Sequence, residues 1–159
     1  MPAVVHAMPW GLLLVEEQGD ALTRVRLLRP EEREPSGVSE ATPLLREACA
    51  QLDAYVAGRL RRFDLPLSPQ GTQFQLRVWE ELLRIGWGNA RSYGEVARAV
   101  GSPRGARAVG MACNRNPLPI VVPCHRVVGA DGSLVGYGGG LELKRRLLEL
   151  ERRLLPLEN

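Results

Sequence analysis

The run Pro119-Ile120-Val121-Val122-Pro123-Cys124-His125-Arg126-Val127-Val128 constrains this chain more than any other stretch. Proline cannot donate to a sheet ladder, so an apolar run bracketed by two prolines is no ordinary central strand. Proline also fixes its own φ, and Pro123 therefore delivers Cys124 in a defined direction. Two readings follow. A single cysteine behaves as a small buried hydrophobe. Beside an imidazole, however, a thiol can lose its proton below its ordinary pKa of about 8.5 and become a nucleophile. In an extended segment successive side chains point to opposite faces. Cys124 and His125 would then need a water or a bend to join them.

A third member of such a set lies further along. From Leu141 the chain reads Leu-Glu-Leu-Lys-Arg-Arg-Leu-Leu-Glu-Leu-Glu-Arg-Arg-Leu-Leu, stopped by Pro156, which predicts an amphipathic helix. At about 100° per residue, Leu143, Leu147, Leu148, Leu150, Leu154 and Leu155 share one face, and Glu151 falls inside their arc. A carboxylate there is costly unless paired or hydrogen-bonded. A bond to His125 would fix the imidazole tautomer, as in other nucleophile–base–orienter sets. A local partner such as Lys144 or Arg152 would serve the carboxylate equally well, and both readings stand.

Composition sets the outer bounds. The 159 residues suffice for one domain or two small ones. A hydrophobic content of 45% with 25% charged residues is that of a globular protein. The net charge of +3 mildly favours an anionic partner. Cys49, Cys113 and Cys124 show no paired spacing, and no signal peptide is recognisable, which points to a reducing, cytoplasmic setting. No apolar run approaches the ~20 residues that cross a membrane. His6 and His125 are far apart and no Cys-x-x-Cys occurs, so no metal site is expected.

Taken in order, Gly11 to Val15 and Leu22 to Leu28 read as two β-runs around a Gly-Asp turn, a hairpin. Pro30 to Ser39 reads as a loop. Thr42 as N-cap and Pro43 at the first position open a helix whose inner stripe is Leu45, Ala48, Cys49, Leu52 and Val56. Gly58 to Gln70 has the character of a linker. The second part opens with a capping box, Thr72-Gln73-Phe74-Gln75, on a helix carrying Phe74, Val78, Trp79 and Leu82. Ser92-Tyr93-Gly94-Glu95 is a second box, on a short helix that Gly101 stops. Ser102 and Pro103 are expected to open a third, giving the layout of a helix-turn-helix. The fold expected is α+β. A small N-terminal α/β structural domain with a hairpin or short sheet spans 1–69. A mainly helical C-terminal domain with the helix-turn-helix and Cys124 spans 70–159.

On the third helix Ala106, Val109, Gly110 and Cys113 form a small-residue seam suited to packing on the helix before it. Arg104, Arg107, Met111 and Asn114 occupy the adjacent face. Gly105, Ala108 and Ala112 lie beyond them with almost no bulk. Small residues beside arginines allow close approach to a sugar–phosphate surface, though a tightly packed core helix with solvated arginines fits the same pattern. Gly129 to Ser133 reads as a turn, and Tyr137-Gly138-Gly139-Gly140 offers backbone for close approach.

These motifs together resemble the O6-alkylguanine-DNA alkyltransferases. The resemblance runs from about Gly71 to Glu151. It rests on Ser92-Tyr93-Gly94, Ala106-Arg107-Ala108-Val109-Gly110, Asn116-Pro117, Ile120 to Val128, and Gly136-Tyr137-x-Gly139-Gly140-Leu141. It implies that Cys124 is the alkyl acceptor, His125 a base acting through water, and Glu151 its orienter. Arg107 would enter the duplex, Tyr93 would help rotate the nucleotide out, and Asn116 would be a hinge. Val127, Tyr137 and Gly138 would line the base site, and Ser92, Arg104, Ala106, Arg107 and Gly110 would face DNA. The partner implied is double-stranded DNA carrying alkylated bases, with a monomeric protein, no cofactor and no membrane, nucleoid-associated if bacterial. Gly138 stands where many relatives have serine, which removes one side-chain contact to the base. A Cys–His hydrolase would leave the arginine helix unexplained, and a lesion sensor without chemistry would leave Cys124 unexplained.

Overall fold

The computed structural model describes residues 1–32, 38–133 and 140–153. The chain divides into two compact units, Met1–Gln70 and Gly71–Asn159.

The first unit holds a three-stranded antiparallel sheet, β1 (Ala3–Met8), β2 (Gly11–Gln18) and β3 (Ala21–Leu27), with neighbours in chain order. Gly19 and Asp20, with φ of +61° and +66°, make the two-residue turn of the β2–β3 hairpin. Such a turn needs positive φ at both positions, which glycine and aspartate tolerate. The strand β1 is an addition to the expected hairpin. Its Ala-Val-Val-His-Ala-Met run lacks strict polar alternation because three of its residues are half-buried rather than sorted to two faces. Leu14 and Leu28 join Ala3 on one side of the sheet. Helix α1 (Pro43–Val56) packs on the strands. Thr42 caps it by accepting from the Leu45 amide at 3.1 Å, and Thr42 also donates to the Glu17 carboxylate. Its buried stripe is Leu45, Ala48, Leu52 and Tyr55. Cys49 and Val56 sit only half-buried at its margin, a correction to the expected stripe. Tyr55 takes the inward position instead, stacked near Phe63 with ring centroids 5.3 Å apart.

Residues 58–70, linker-like in composition, are pinned to this first unit. Leu22 pairs with Leu67 through backbone bonds to Pro66 and Ser68. The Gln51 side chain grips the Asp64 backbone from both sides, at 2.9 and 3.0 Å.

The second unit is mainly helical, with α2 (Gln73–Leu82), α3 (Tyr93–Ala99), α4 (Ala106–Asn114) and α5 (Leu141–Arg153). Capping boxes open α2 and α3, with Thr72 and Ser92 as N-caps and Gln75 and Glu95 reaching back. Val78, Trp79 and Leu82 turn inward from α2, and the Trp79 indole donates to the Ala112 carbonyl on α4 at 2.9 Å. Burying side chains of this size contributes about 1.5–3 kcal/mol each, more than the cap of either helix.

The third helix begins three residues later than its sequence suggests. Ser102 caps nothing; α4 starts at Ala106 after Gly105, without a side-chain cap. The Gly105 amide instead donates to the Ser102 carbonyl at 2.7 Å, closing a tight turn. A Cβ on Gly105 would lie 2.9 Å from that carbonyl, so only glycine fits the turn as it stands. Arg104 thus lies on the turn rather than on the helix.

Candidate active site

The segment after α4 folds back on itself rather than running extended. Asn116 is nearly buried and organises it with three hydrogen bonds. Its Oδ1 accepts from the Leu118 amide at 2.9 Å, and its Nδ2 donates to the Val122 carbonyl at 2.9 Å and to Cys124 Sγ at 3.1 Å. Between these points Ile120 is buried with φ +75°. A β-branched residue in the left-handed region costs on the order of 1–3 kcal/mol, so the surrounding packing and the Asn116 bonds must hold it there. Cys124, His125 and Arg126 form a single 3-10 turn, which replaces the expected extended geometry. Pro123 has φ −81° at the head of that turn, and the chain leaves it through Val127–Val128, a short strand paired in parallel with Arg91–Ser92. That pairing ties the thiol turn to the first residue of α3, Tyr93.

Every side chain in the turn is sealed from solvent. His125 is fully buried, and its Nε2 lies 2.7 Å from Glu151 Oε2. Arg126 grips the same carboxylate with a fork, Nε to Oε1 and Nη2 to Oε2, both 2.9 Å, while Nη1 donates to the Ile85 carbonyl. The Trp87 indole donates to the Glu151 backbone carbonyl at 3.0 Å, fixing this turn of α5. Of the partners the sequence offered for Glu151, the structure places His125 on its carboxylate. Burial alone would raise the Glu151 pKa, but the His125 and Arg126 contacts outweigh it and hold the carboxyl at about 2. Burial pushes His125 below its ordinary value, with Glu151 opposing.

An ionised carboxylate only accepts hydrogen bonds. Neutral His125 must therefore carry its proton on Nε2, which leaves a lone pair on Nδ1. That Nδ1 is buried and has no hydrogen-bond partner among the described residues.

Tyr93 lies at the N-terminus of α3. Burial, then the neighbouring Cys113 and Cys124 thiols, push its phenol well above the ordinary range, so it stays protonated. The Lys144 ammonium lies 3.2 Å from the Tyr93 hydroxyl. Lys144 is fully buried on α5, and sequence reasoning missed it as a site residue. Its one signal was a position inside the leucine arc, one residue after Leu143. Arg126 was likewise missed as Glu151's partner, because its pairing depends on the turn. Cys113 is buried within electrostatic reach of Cys124, and burial pushes its thiol up strongly, which keeps it protonated.

The arginine helix has a simpler layout. Arg107, Ala108, Met111 and Asn114 are exposed, whereas Val109, Ala112 and Cys113 are buried. Ala112 thus belongs to the core and not to the outer face, a correction forced by its bond to Trp79. Ala106 and Gly110 are half-buried, and a Cβ on Gly110 would touch the Tyr93 ring at 3.7 Å. Ser92 is occupied as the N-cap of α3. Tyr137 and Gly138, expected in the base site, lie outside the described residues, as do Leu154 and Leu155. Among the described residues no group of three or more His, Cys, Asp or Glu could hold a metal ion.

The second unit sets a helix bearing an exposed arginine, Arg107, a short turn ahead of a buried Cys–His–Glu constellation, which defines a thiol protein with its reactive turn next to that helix. Comparison with known proteins makes the class specific. Residues 73–153 match the model for the 6-O-methylguanine DNA methyltransferase DNA-binding domain, and residues 5–69 match that family's ribonuclease-like domain. The chain belongs to this family. It is 51% identical to the methylated-DNA–protein-cysteine methyltransferase of Mycobacterium leprae, over 87% of this chain and 85% of that one. It is 46% identical to the protein of the same name from Methanosarcina acetivorans, over 90% and 93%. The Mycobacterium tuberculosis OGT solved in complex with DNA superposes with a TM-score of 0.88, at 45% identity, covering 99% of this chain and 96% of that chain.

Proposed function

We propose that this protein repairs DNA by moving an alkyl group from O6-alkylguanine in a duplex onto Cys124, once per molecule. The observation that carries the reading is the buried His125–Glu151 pair beside Cys124, with imidazole Nδ1 left as the lone pair. A water between Nδ1 and Cys124 would satisfy that buried nitrogen and pass the thiol proton to it. Asn116 supplies a donor to the sulfur at 3.1 Å, which favours thiolate over thiol.

The step balances without a cofactor. The Cys124 proton passes to His125 through the water. The thiolate attacks the alkyl carbon, the carbon–O6 bond breaks, and its electron pair leaves on guanine. A proton returned through Tyr93 or the water relay completes guanine. The product is a thioether, which neither water nor His125 readily cleaves, so the protein is consumed.

Guanine O6 is unreachable inside the stack, and extruding the nucleotide costs a few kcal/mol. Arg107, exposed on the first turn of α4, would take the vacated place in the stack. Ser92, Ala106 and Gly110 would lie along the DNA side of the helix-turn-helix, with Arg104 on its turn. The narrow outer face offered by Ala108 suits the minor groove. The carbonyls of Cys124 and Val127 would receive the exocyclic amine, with Tyr137 and Gly138 closing the base site. Asn116 would couple α4 to the thiol turn. The protein would act as a monomer in the compartment that holds the DNA, with residues 1–69 as a structural domain and 70–159 binding DNA and transferring the alkyl group.

The test is the intact mass of the protein after mixing with excess duplex carrying one O6-methylguanine, beside Cys124→Ser. A gain of one methyl per molecule, on Cys124 and absent in the variant, is expected. Tight lesion-selective binding with no mass change would leave a sensor instead.

A further inference from the structure

Glu151 is bound by two cationic or potentially cationic neighbours at once, and this double engagement decides where a proton can rest. His125 Nε2 and Arg126 Nη2 reach the same oxygen, Oε2, at 2.7 and 2.9 Å, while Arg126 Nε takes Oε1 at 2.9 Å. All three side chains are shut from water, at 0%, 7% and 1% exposure for His125, Arg126 and Glu151. A two-pronged guanidinium fork is the strongest and most directional partner a carboxylate has, and arginine does not give up its proton.

We propose that Arg126 is a positioning residue that holds Glu151 as a permanently ionised acceptor, so that the proton leaving Cys124 stops on His125 and goes no further. This rests on the alkyl-transfer reading of the site. A lone buried carboxylate 2.7 Å from an imidazole is a competing base, because burial raises its proton affinity and lowers that of the imidazole. A proton that settled on Glu151 would be lost to the relay, since Glu151 faces the far nitrogen of the ring. With the fork in place, that route is closed. The fork also draws carboxylate charge away from the ring, which keeps His125 neutral and its Nδ1 lone pair available before reaction.

The groups that act on His125 are few. Glu151 favours its charged form, and Arg126 and, on α5, Lys144 oppose it. On α2, which also packs on the thiol turn, Glu81 is engaged by Arg84 and Arg91 at 3.3 and 3.0 Å. Of the two positive charges that oppose the imidazolium, Arg126 is therefore the one whose removal should be felt more strongly at the ring.

The chain has two histidines, so the imidazole nitrogens can be followed by NMR, with His6→Gln assigning the pair. In the wild-type protein at pH 7, His125 should carry one proton, on Nε2. Arg126→Met should raise the apparent midpoint seen at the His125 ring by about one unit or more, as the titration of a coupled pair in which Glu151 now shares the proton. The acid limb of the single-turnover transfer rate should move to higher pH by the same amount. Arg126→Lys, which keeps the charge, should restore both toward wild type. Should Arg126→Met not fold, Arg126→Gln keeps a donor without the charge and should show the same upward shift. Equal midpoints in wild type, the Lys variant and a folded neutral variant would reduce Arg126 to a structural role and overturn the proposal. So would a doubly protonated His125 in the wild type at pH 7. Failure of the wild type to transfer an alkyl group would count against the alkyl-transfer function, while the imidazole titration, which needs no DNA, would still decide the role of Arg126.

Discussion

Glu151 is an acid kept ionised inside the protein, and that fact has a pH signature. Its folded-state pKa of about 2 lies below the ordinary 4.5. A carboxyl with a depressed folded pKa contributes stability that is complete above its unfolded value and is lost as pH falls through the folded one. At about 1.4 kcal/mol per unit, the contribution is on the order of 3 kcal/mol, lost between pH 4.5 and 2. His125 acts in the same sense at higher pH. Burial holds its pKa below 6.5, so the unfolded chain takes up a proton first and stability begins to fall below pH 6.5. Urea unfolding followed from pH 7 to pH 2 should therefore show a shallow loss, then a steeper one. Glu151→Gln should be less stable at pH 7, because it strands the buried Arg126, yet flatter below pH 4.5. Parallel curves for the two proteins would mean that Glu151 is not the ionised centre of the site.

At the scale of elements, the two capping boxes and the lone serine that follows them make a comparison within one domain. Thr72 and Ser92 each accept from the N3 amide at 3.1 Å and have a reciprocal partner, while Ser102 makes no cap. Thr72→Ala and Ser92→Ala should each cost about 1 kcal/mol. Ser102→Ala should stay within about 0.5 kcal/mol. Denaturant midpoints decide it, and a loss at Ser102 equal to the other two would contradict the late start of α4. The same three residues show what was legible beforehand. A box is a reciprocal pair at fixed spacing, so both boxes could be read locally. Ser102-Pro103 offered a cap without an answering Glu or Gln three residues on, and the turn closed by Gly105 won. Glu151 was legible because a carboxylate in a leucine arc demands a partner. Lys144 breaks the same rule, but its partner, Tyr93, lies 51 residues away and is fixed only by tertiary packing. Arg126 was hidden for a related reason. Read as extended chain, it points away from His125, and only the 3-10 turn lets both reach Glu151. Strand β1 escaped because its half-buried residues give no alternation to read.

Across the whole molecule the charge is unevenly shared, and this separates the two ways an arginine can serve DNA binding. Residues 71–159 hold 13 of the 21 basic residues but 8 of the 18 acidic ones, so the first seventy residues are net acidic and the remainder carries the positive charge. Duplex affinity on the proposed reading should therefore fall with salt through contacts made by the second unit. Each phosphate contact contributes about 0.9 to the log–log slope. Arg104, on the turn before α4, is exposed and suited to a phosphate, so Arg104→Ala should flatten the slope by about that amount on any sequence. Arg107, on the helix itself, is proposed to enter the stack, where it replaces a base. Arg107→Ala should leave the slope nearly unchanged while it weakens lesion binding and slows transfer several-fold or more. Arg24→Ala and Arg46→Ala, both exposed in the first unit, should alter neither quantity. Equilibrium binding to lesion and plain duplex at four salt concentrations distinguishes these outcomes. If Arg46→Ala flattens the slope as much as Arg104→Ala, the first unit touches DNA too, and its role extends beyond structure. If Arg107→Ala flattens the slope and spares transfer, Arg107 is one more phosphate contact, and another residue must fill the gap left by the extruded base.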